Sequence, residues 1–398
     1  MKTARVNLLT GIILWVASTA ADDIFKMTQS SYAAEKTYSY TVIAQFPPMG
    51  LVPSLQDEGP VITSDGTVVY SAGEISLHSS IYSGDGMVTR PLLGPFEHSF
   101  TPLITAVSGN GMMVTNVFIP WIVDVHDGTV VGSFSPGEGF FVGSGVEFFY
   151  DVSINNRGSV AFTGAIADVN CGFAQHFLGD EGVFRDDGER TATIALFGVP
   201  LDTGAIVLAY PSINDAGQVA FVAQPVNNIC SSTVGVESGA LFVGDGKRLT
   251  KISDTNSAPS LNNRGEVGFI NVTAAGSSVL VTDGKKTRTV ADTKGPFADF
   301  GLHDFLTRVF FGVGVSLNDP GDVAFIAALD SGGLGIFTGP DVVKDKVIAV
   351  GDALAGSSVS QIIMSRQSLN NKGQIAFQAT LTDGRKVVVR AEPKALVN

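Results

Sequence analysis

The chain has 398 residues, of which 46 are glycine and only 16% are charged, a profile typical of turn-rich β proteins. Its formal net charge of −13 at pH 7 disfavours nucleic acid as a partner, because phosphate binding needs clustered lysine and arginine. A chain of this length with 44% hydrophobic residues exceeds the usual size of one domain, which favours a barrel or an array of repeats.

The N-terminus has the pattern of a secretory signal. Lys2 and Arg5 precede an apolar run from Val6 to Val16, and the small residues Ser18 and Ala20 follow it. The alternative, a membrane anchor, is disfavoured because the apolar run is shorter than the roughly 20 residues that cross a bilayer. The sequence therefore predicts a signal peptide over 1–20, a flexible segment over 21–37 and a secreted or periplasmic mature chain without a membrane span.

A repeat that reads Ser-Leu/Ile-Asn-x-x-Gly-x-Val-Ala-Phe, with minor variation, dominates the rest of the chain. The five close copies are Ser153–Phe162, Ser212–Phe221, Ser260–Phe269, Ser316–Phe325 and Ser368–Phe377, and weaker copies end at Tyr70 and Thr115. The seven repeat glycines lie 45 to 59 residues apart, which suits propeller blades of four strands. The sequence predicts an all-β fold, a seven-bladed β-propeller of four-stranded blades over 38–391, followed by a C-terminal tail over 392–398.

Two kinds of turn divide each repeat into strands a, b, c and d. The Asn-x-x-Gly turn joins strands a and b, because asparagine can bond its own backbone and glycine accepts positive φ. Asp-Gly turns such as Gly84–Gly86 and Gly244–Gly246 are predicted to join strands c and d. Calcium ligation by these aspartates is the alternative, but the ligand spacing of an EF-hand is absent, which favours a plain hairpin turn.

The two ends of the chain are predicted to meet in blade seven. After Phe377 only one further strand-like run remains, Lys386–Arg390, whereas Tyr38–Gln45 precedes the first repeat turn. We expect this N-terminal strand to complete the last blade, which closes the ring and removes the open sheet edges.

The face opposite the turns is predicted to carry the variable loops. This loop face holds the b–c loops and the d–a crossovers, and the turn face holds the Asn-x-x-Gly and Asp-Gly turns. From the phenylalanine of the repeat to strand c takes 22 residues in blade three and 21 in blade four, against 11 or 12 in blades one, five and six. Blades three and four therefore carry neighbouring inserts on the loop face, where function concentrates on rigid scaffolds.

The inserts and one long crossover contain the candidate ligand-binding residues. Those of the inserts could hold a polar ligand or a cation, and the alternative is that they are solvated surface loops. The crossover Gly295–Phe311 places a histidine and an aspartate in an aromatic setting, where packing of the rings on the propeller is the alternative to ligand binding. The candidates are Asp168, His176, Asp180, Glu181, Glu237, His303 and Asp304.

The only two cysteines occupy equivalent positions. Cys171 lies nine residues after Phe162, and Cys230 lies nine residues after Phe221. Export to an oxidising compartment permits a disulfide between the two inserts, which we predict. Two separately buried free thiols are the alternative.

No catalytic or metal-binding motif is found in the sequence. There is no Gly-x-Ser-x-Gly elbow, the five histidines follow no pattern, and no His-x-x-x-His or Cys-x-x-Cys pair occurs. The sequence therefore predicts no catalytic residue, no metal and no cofactor, although residues distant in sequence can converge in a fold.

The five close copies, with apolar segments such as Val347–Asp352 between them, resemble the Asn-x-x-Gly-x-Ala-Phe tandem-repeat proteins of secreted bacterial origin. The resemblance covers about residues 38–391. It implies an exported, propeller-like fold and carries over no functional residue, because the family is known mainly as exported proteins without an assigned activity.

Two functions remain open. The first is an exported binding or scaffold module, expected as a monomer, that presents the inserts of blades three and four to an unidentified extracellular or periplasmic ligand, either protein or carbohydrate. The alternative is a hydrolase or lyase that acts on a polysaccharide or another polymer through acidic residues around the central channel. Two carboxylates, or a carboxylate and a histidine, facing one pocket would favour the alternative.

Overall fold

A computed structural model gives the fold of most of the chain. Thr37–Lys394 form one compact unit. The described residues are 37–48, 59–74, 78–97, 104–115, 121–133, 152–165, 181–196, 206–225, 239–300 and 314–394, and all of their regular structure is β.

Seven antiparallel sheets follow one another along the chain, as the repeat predicts. Blades one to five have four strands each, in sequence order from a to d. Blade one is β2 Val61–Ile62, β3 Val68–Glu74, β4 His78–Gly84 and β5 Thr89–Glu97; blade two is β6 Ile104–Val107, β7 Met112–Thr115, β8 Trp121–Asp124 and β9 Val130–Ser133; blade three is β10 Val152–Ile154, β11 Val160–Ala165, β12 Glu181–Asp186 and β13 Thr191–Leu196; blade four is β14 Ile206–Ile213, β15 Val219–Pro225, β16 Ala240–Gly244 and β17 Leu249–Ser253; blade five is β18 Ser260–Leu261, β19 Val267–Thr273, β20 Gly276–Thr282 and β21 Thr287–Asp292. The two blades with weak repeat copies are therefore full sheets.

Blades six and seven each include one additional short strand. In blade six, two short segments, β22 and β23, both pair with strand b. In blade seven, a two-residue strand forms a hairpin with strand a. The strands are β22 Phe297–Asp299, β23 Ser316–Leu317, β24 Val323–Leu329, β25 Leu334–Phe337 and β26 Lys346–Ala349 in blade six, and β27 Ala353–Leu354, β28 Ser357–Ile363, β29 Ile375–Leu381 and β30 Lys386–Pro393 in blade seven.

The N-terminal strand closes the ring as predicted. β1, Tyr38–Phe46, pairs antiparallel with β30 and becomes the outermost strand of blade seven. The Tyr40 hydroxyl also donates to the Val347 carbonyl of blade six, 2.5 Å away. β30 runs from Lys386 to Pro393.

The hydrophobic core lies between the blades. The repeat phenylalanine on strand b is almost wholly buried, and it faces the predicted residue of strand c across the sheet, as for Phe162 and Phe184 or Phe221 and Phe242. These two ring pairs have centroids 5.5 and 5.9 Å apart. Since burying such a side chain contributes roughly 1.5–3 kcal/mol, this position explains why the repeat requires an aromatic residue.

The turn chemistry read from the sequence is confirmed. All seven repeat glycines have positive φ, from 74° at Gly373 to 103° at Gly66. In the Asp-Gly turns the aspartate caps its own turn: Asp85 Oδ1 accepts the backbone N–H groups of Met87 and Val88 at 2.8 Å. Those backbone hydrogen bonds hold the pKa of Asp85 below its usual value. The carboxylate is thus occupied as a turn residue, as the plain hairpin interpretation expects.

Candidate functional site

Six of the seven residues predicted from the sequence to bind a ligand lie outside the described part of the chain. Glu181 begins strand β12, and its side chain is not among those described. The cysteines of the predicted disulfide, Cys171 and Cys230, also lie outside it, so the pairing remains a prediction. The six candidates outside the described residues are Asp168, His176, Asp180, Glu237, His303 and Asp304.

The structure instead shows what the repeat asparagine does. Asn262 is 3% exposed, and its Oδ1 accepts the backbone N–H groups of Arg264 and Glu266 within its own turn. Its Nδ2 donates to the Asn318 carbonyl of the next blade at 3.0 Å. One side chain therefore shapes the a–b turn and joins two blades.

The same bond continues from blade to blade as an asparagine ring. In each step the Nδ2 of one repeat asparagine donates to the backbone oxygen of the next blade, at 3.0 to 3.2 Å, and the last step passes from blade seven to the Thr63 carbonyl of blade one. The donors of the asparagine ring are Asn155, Asn214, Asn262, Asn318 and Asn370.

The other polar positions of the repeat have matching roles. The serine hydroxyl oxygen accepts an N–H from strand a of the next blade, as Ser260 does from Leu317 at 3.2 Å. The residue after the asparagine bonds its counterpart in the next blade: Asn263 N–H and Nδ2–H donate to the Asp319 carboxylate at 2.8 and 3.1 Å. The repeat motif is therefore a set of blade-to-blade links on the turn face.

Blades one and two depart from the ring where their sequences depart from the repeat. Thr63 and Ser108 stand in the place of the asparagine, and their hydroxyls bond within their own turns. His126 links these blades on the turn face instead, with Nε2 3.1 Å from Asp65 Oδ2 and Nδ1 2.8 Å from Asp124 Oδ1. All three side chains are about half exposed.

The described residues enclose a cavity that includes the central channel. It has a volume of about 580 Å³ and is lined by strand a of the blades, by their a–b turns and, in blades six and seven, by residues of strands b and c. Strand a of blade seven bulges into it, because Leu369 lies six positions after Ile363 while their partners on strand b, Gln378 and Ile375, are only three positions apart. The three extra residues fall within a segment that we call the channel bulge, Met364–Gln367.

Arg366 of the channel bulge reaches across the channel. Its Nη1 donates to the carbonyls of Pro259 and Tyr210, at 3.3 and 3.5 Å, and its guanidinium lies 5.7 Å from the centre of the Tyr210 ring. Blade six has a glycine at the corresponding position: a Cβ on Gly314 would lie 2.6 Å from the Ala258 carbonyl oxygen and 3.1 Å from Arg366 Cδ. Glycine is needed there because a Cβ would collide with the Ala258 backbone and would also crowd the arginine.

Tyr210 is held in an unusual backbone conformation opposite Arg366. Its φ is 58°, the left-handed region that disfavours a tyrosine, and Pro211 follows it. Such a conformation costs about 1–3 kcal/mol and persists only where the surroundings impose it. Here the cation–π contact with Arg366 and the burial of the ring are the compensating interactions.

The carboxylates on the channel wall are already bonded. Asp215 accepts from the Asn156 N–H and Nδ2–H, each at 2.9 Å, and Asp319 accepts from Asn263 and Asn371. Among the described residues no group of three histidine, cysteine, aspartate or glutamate side chains has the geometry to hold a metal ion. The wall of this cavity therefore offers amides, hydroxyls, one guanidinium and the Lys386 ammonium to a ligand.

Sequence reasoning did not single out Arg366. The available signal was its place two residues before the repeat serine, where the blade one, blade five and blade six copies have Gly59, Ala258 and Gly314. A long cation at a position that is glycine or alanine in three other blades, and tyrosine in blade four, indicates a side chain that projects into the channel.

Comparison with known proteins shows a family and a fold. A model of a family described as being of unknown function (DUF7453) matches residues 142–387. No curated protein matches the chain. In the part of the chain that the structure describes, no helix is long and apolar enough to cross a membrane.

Solved structures give the fold alone. A puromycin-hydrolysing peptidase of Mycobacterium tuberculosis aligns with 89% of this chain at 13% identity and a TM-score of 0.51, and this chain covers 55% of the peptidase chain. The β-propeller domain of the Trilobed protease from Pyrococcus furiosus aligns with 80% of this chain and 100% of its own, at 11% identity and a TM-score of 0.48. YCF48 bound to D1 peptide aligns with 92% and 99%, at 12% identity and a TM-score of 0.39.

Proposed function

The chain belongs to the family of unknown function DUF7453, and since that family assigns no activity, we propose from the site itself an exported binding module that presents its loop face to a ligand. The observation that carries this proposal is that the polar side chains of the repeat are engaged in hydrogen bonds between neighbouring blades. On the turn face the asparagine ring and its partners bond one another. The variable b–c loops, above all the inserts of blades three and four, remain as the surface for a ligand.

The channel wall favours binding over polymer cleavage. The alternative function needs two free acidic side chains at one pocket, one as acid and one as base or nucleophile. Asp215 and Asp319 both line the channel, yet each holds a neighbouring turn through backbone and amide hydrogen bonds. Their bonding supports a structural role.

Export and family kinship are parts of the same proposal. The charged start, the short apolar run and the small residues Ser18 and Ala20 support cleavage near residue 20 and a secreted or periplasmic mature chain. The five close repeats support membership of the Asn-x-x-Gly-x-Ala-Phe group of exported bacterial proteins. The intact mass of the exported protein tests the export step, and a mature chain that still begins at Met1 would contradict it.

Shortening the inserts tests the binding face. Replacing residues 166–180 and 226–238 by the two-residue loop of blade five, Ala274-Ala275, keeps both hairpins closed. Wild-type and shortened proteins are compared on an oligosaccharide array and a peptide array, with thermal melting as the folding control. We expect the wild type to bind one class of probe and the folded short-loop variant to lose that binding. Equal binding by both proteins, or no binding by the wild type on either array, would contradict the proposal.

A further inference from the structure

Blade seven carries a polar patch at a position where blades four and five are apolar. Strand register places five side chains on its face towards blade one: Ile363 pairs with Gln378, Gln361 with Thr380, and Thr380 with Lys386 on the next strand. Cross-strand partners point to the same side of a sheet. All five residues line the cavity that is continuous with the central channel. We call this set the blade-seven patch.

Gln378 is the unusual member of the blade-seven patch. It is 4% exposed, and its side-chain amide has no hydrogen-bonding partner among the described residues. The residue that follows the repeat phenylalanine is Val222 in blade four and Ile270 in blade five, and both pack between blades at 0% and 1% exposure. A buried amide without a partner costs stability, so an aliphatic residue would serve the fold better.

Lys386 is the second group that the fold does not use. It is half buried at the start of β30, and no acidic side chain pairs with it in the described ranges. Thr380 and Gln361 lie beside it, with the threonine hydroxyl 3.5 Å from the glutamine Oε1. The blade-seven patch thus combines one ammonium, two amides and one hydroxyl at the wall of a cavity.

We propose that the blade-seven patch binds a small carboxylate that also bears hydroxyl groups, of the sugar-acid class. The carboxylate pairs with the Lys386 ammonium, and the hydroxyls exchange hydrogen bonds with the Gln378 and Gln361 amides and with Thr380. Each amide presents both a donor and an acceptor, which suits hydroxyl groups. A cavity of about 580 Å³ lies within the range of small-molecule sites. This site goes beyond the proposed loop-face function, because it uses no insert residue.

Titration of the full mature chain with D-glucuronate tests the proposal, with D-glucose as the neutral control. We expect calorimetry to show saturable glucuronate binding that is at least tenfold tighter than any glucose binding. Added salt should weaken the glucuronate affinity, because one ion pair carries part of it. Absence of glucuronate binding, or equal affinity for both sugars, would overturn the proposal.

The substitution Gln378→Ile separates a ligand role from a structural one. It restores the aliphatic residue of blade five, so we expect the melting temperature of the free protein to rise while glucuronate binding falls at least tenfold. A lower melting temperature together with retained binding would show that Gln378 serves the fold. Val222→Gln is the matched converse: it should lower the melting temperature and leave glucuronate binding unchanged.

The substitution Lys386→Met tests the charge. We expect it to keep the melting temperature close to that of the wild type, because the lysine has no ion pair within the described residues, and to remove the preference for glucuronate over glucose. A preserved preference would overturn the assigned role of Lys386. The short-loop variant should still bind glucuronate, so a failure of the loop-face proposal and a failure of this one give different results.

Discussion

The contact between blades one and two on the turn face depends on the charge of His126. Partial burial lowers the pKa of His126, but the hydrogen bonds with Asp124 and Asp65 outweigh it and raise the pKa above its usual value. Burial acts to raise the pKa of Asp65, but hydrogen bonds from Thr63, Thr67 and His126 lower it to about 2. Both shifts favour the ion pair over the neutral forms.

The contribution of this contact depends on pH in a defined window. The raised histidine pKa stabilises the fold below about pH 6.5, the usual value, and that stability is lost as pH rises through the folded pKa. The lowered pKa of Asp65 stabilises it above about pH 3.8, and that part is lost as pH falls through about 2.

We therefore expect His126→Gln to destabilise the protein more at pH 5 than at pH 8. The measurement is the urea midpoint of both proteins at each pH. Thr129→Ser, in the same turn but away from the ion pair, serves as the control. The prediction is wrong if the difference between wild type and His126→Gln is the same at both pH values.

We expect the repeat asparagine Asn262 to contribute more to the free energy of unfolding than its exposed neighbour Asn263. Asn262→Ala removes a turn cap and a link to blade six, and it leaves the buried Asn318 carbonyl without that donor. We expect a loss of about 2–4 kcal/mol in the free energy of unfolding. Asn263→Ala, one residue later and exposed, should cost under about 1 kcal/mol. Chemical denaturation of both variants checks this, and equal losses would contradict the assigned role of the ring.

At the scale of the element, β1 is the strand that closes the ring. Deleting residues 34–45 exposes the edge of β30 and removes the Tyr40 contact with blade six. We expect the whole propeller to unfold in a single transition at a lower melting temperature. The reason is that pairing of β1 with β30 closes the ring, so its loss affects the packing of all seven blades. Thermal melting decides it, and an unchanged midpoint would mean that closure by β1 contributes little to stability.

A second prediction at the scale of the element is that a disulfide joins Cys171 and Cys230 of the two inserts. The hairpins that bear them, β11 with β12 and β15 with β16, lie in neighbouring blades that share one hydrophobic cluster. A disulfide commonly contributes about 2–4 kcal/mol, with less expected where blades already restrain the chain. Peptide mapping without reduction should show the linked fragment. Complete alkylation of both thiols in unreduced, denatured protein would exclude the bond.

At the scale of the whole molecule, Arg366 ties blade seven to blades four and five across the channel. Its carbonyl partners lie 156 and 107 residues away in sequence. We expect Arg366→Ala to cost about 1.5–3 kcal/mol, the usual range for a hydrogen bond from a charged group.

Arg366→Lys should recover only part of that loss, because an ammonium lacks the planar guanidinium that stacks on Tyr210. Denaturant unfolding of the two variants and the wild type is the measurement. An unchanged stability in Arg366→Ala would show that the bridge across the channel is incidental.

Local residue patterns were sufficient to determine the architecture. Each repeat encodes its own turn through asparagine and glycine and its own packing through phenylalanine, so blade number, strand pairing and the closing role of Tyr38–Gln45 could be read from the spacing. Only the tertiary structure showed that the asparagines bond across blades, that Arg366 meets Tyr210, and that Gln378 and Lys386 share one wall. These contacts join residues that are far apart in the chain. Which residues come into contact depends on how the blades are arranged in the closed ring, and local sequence patterns do not determine that.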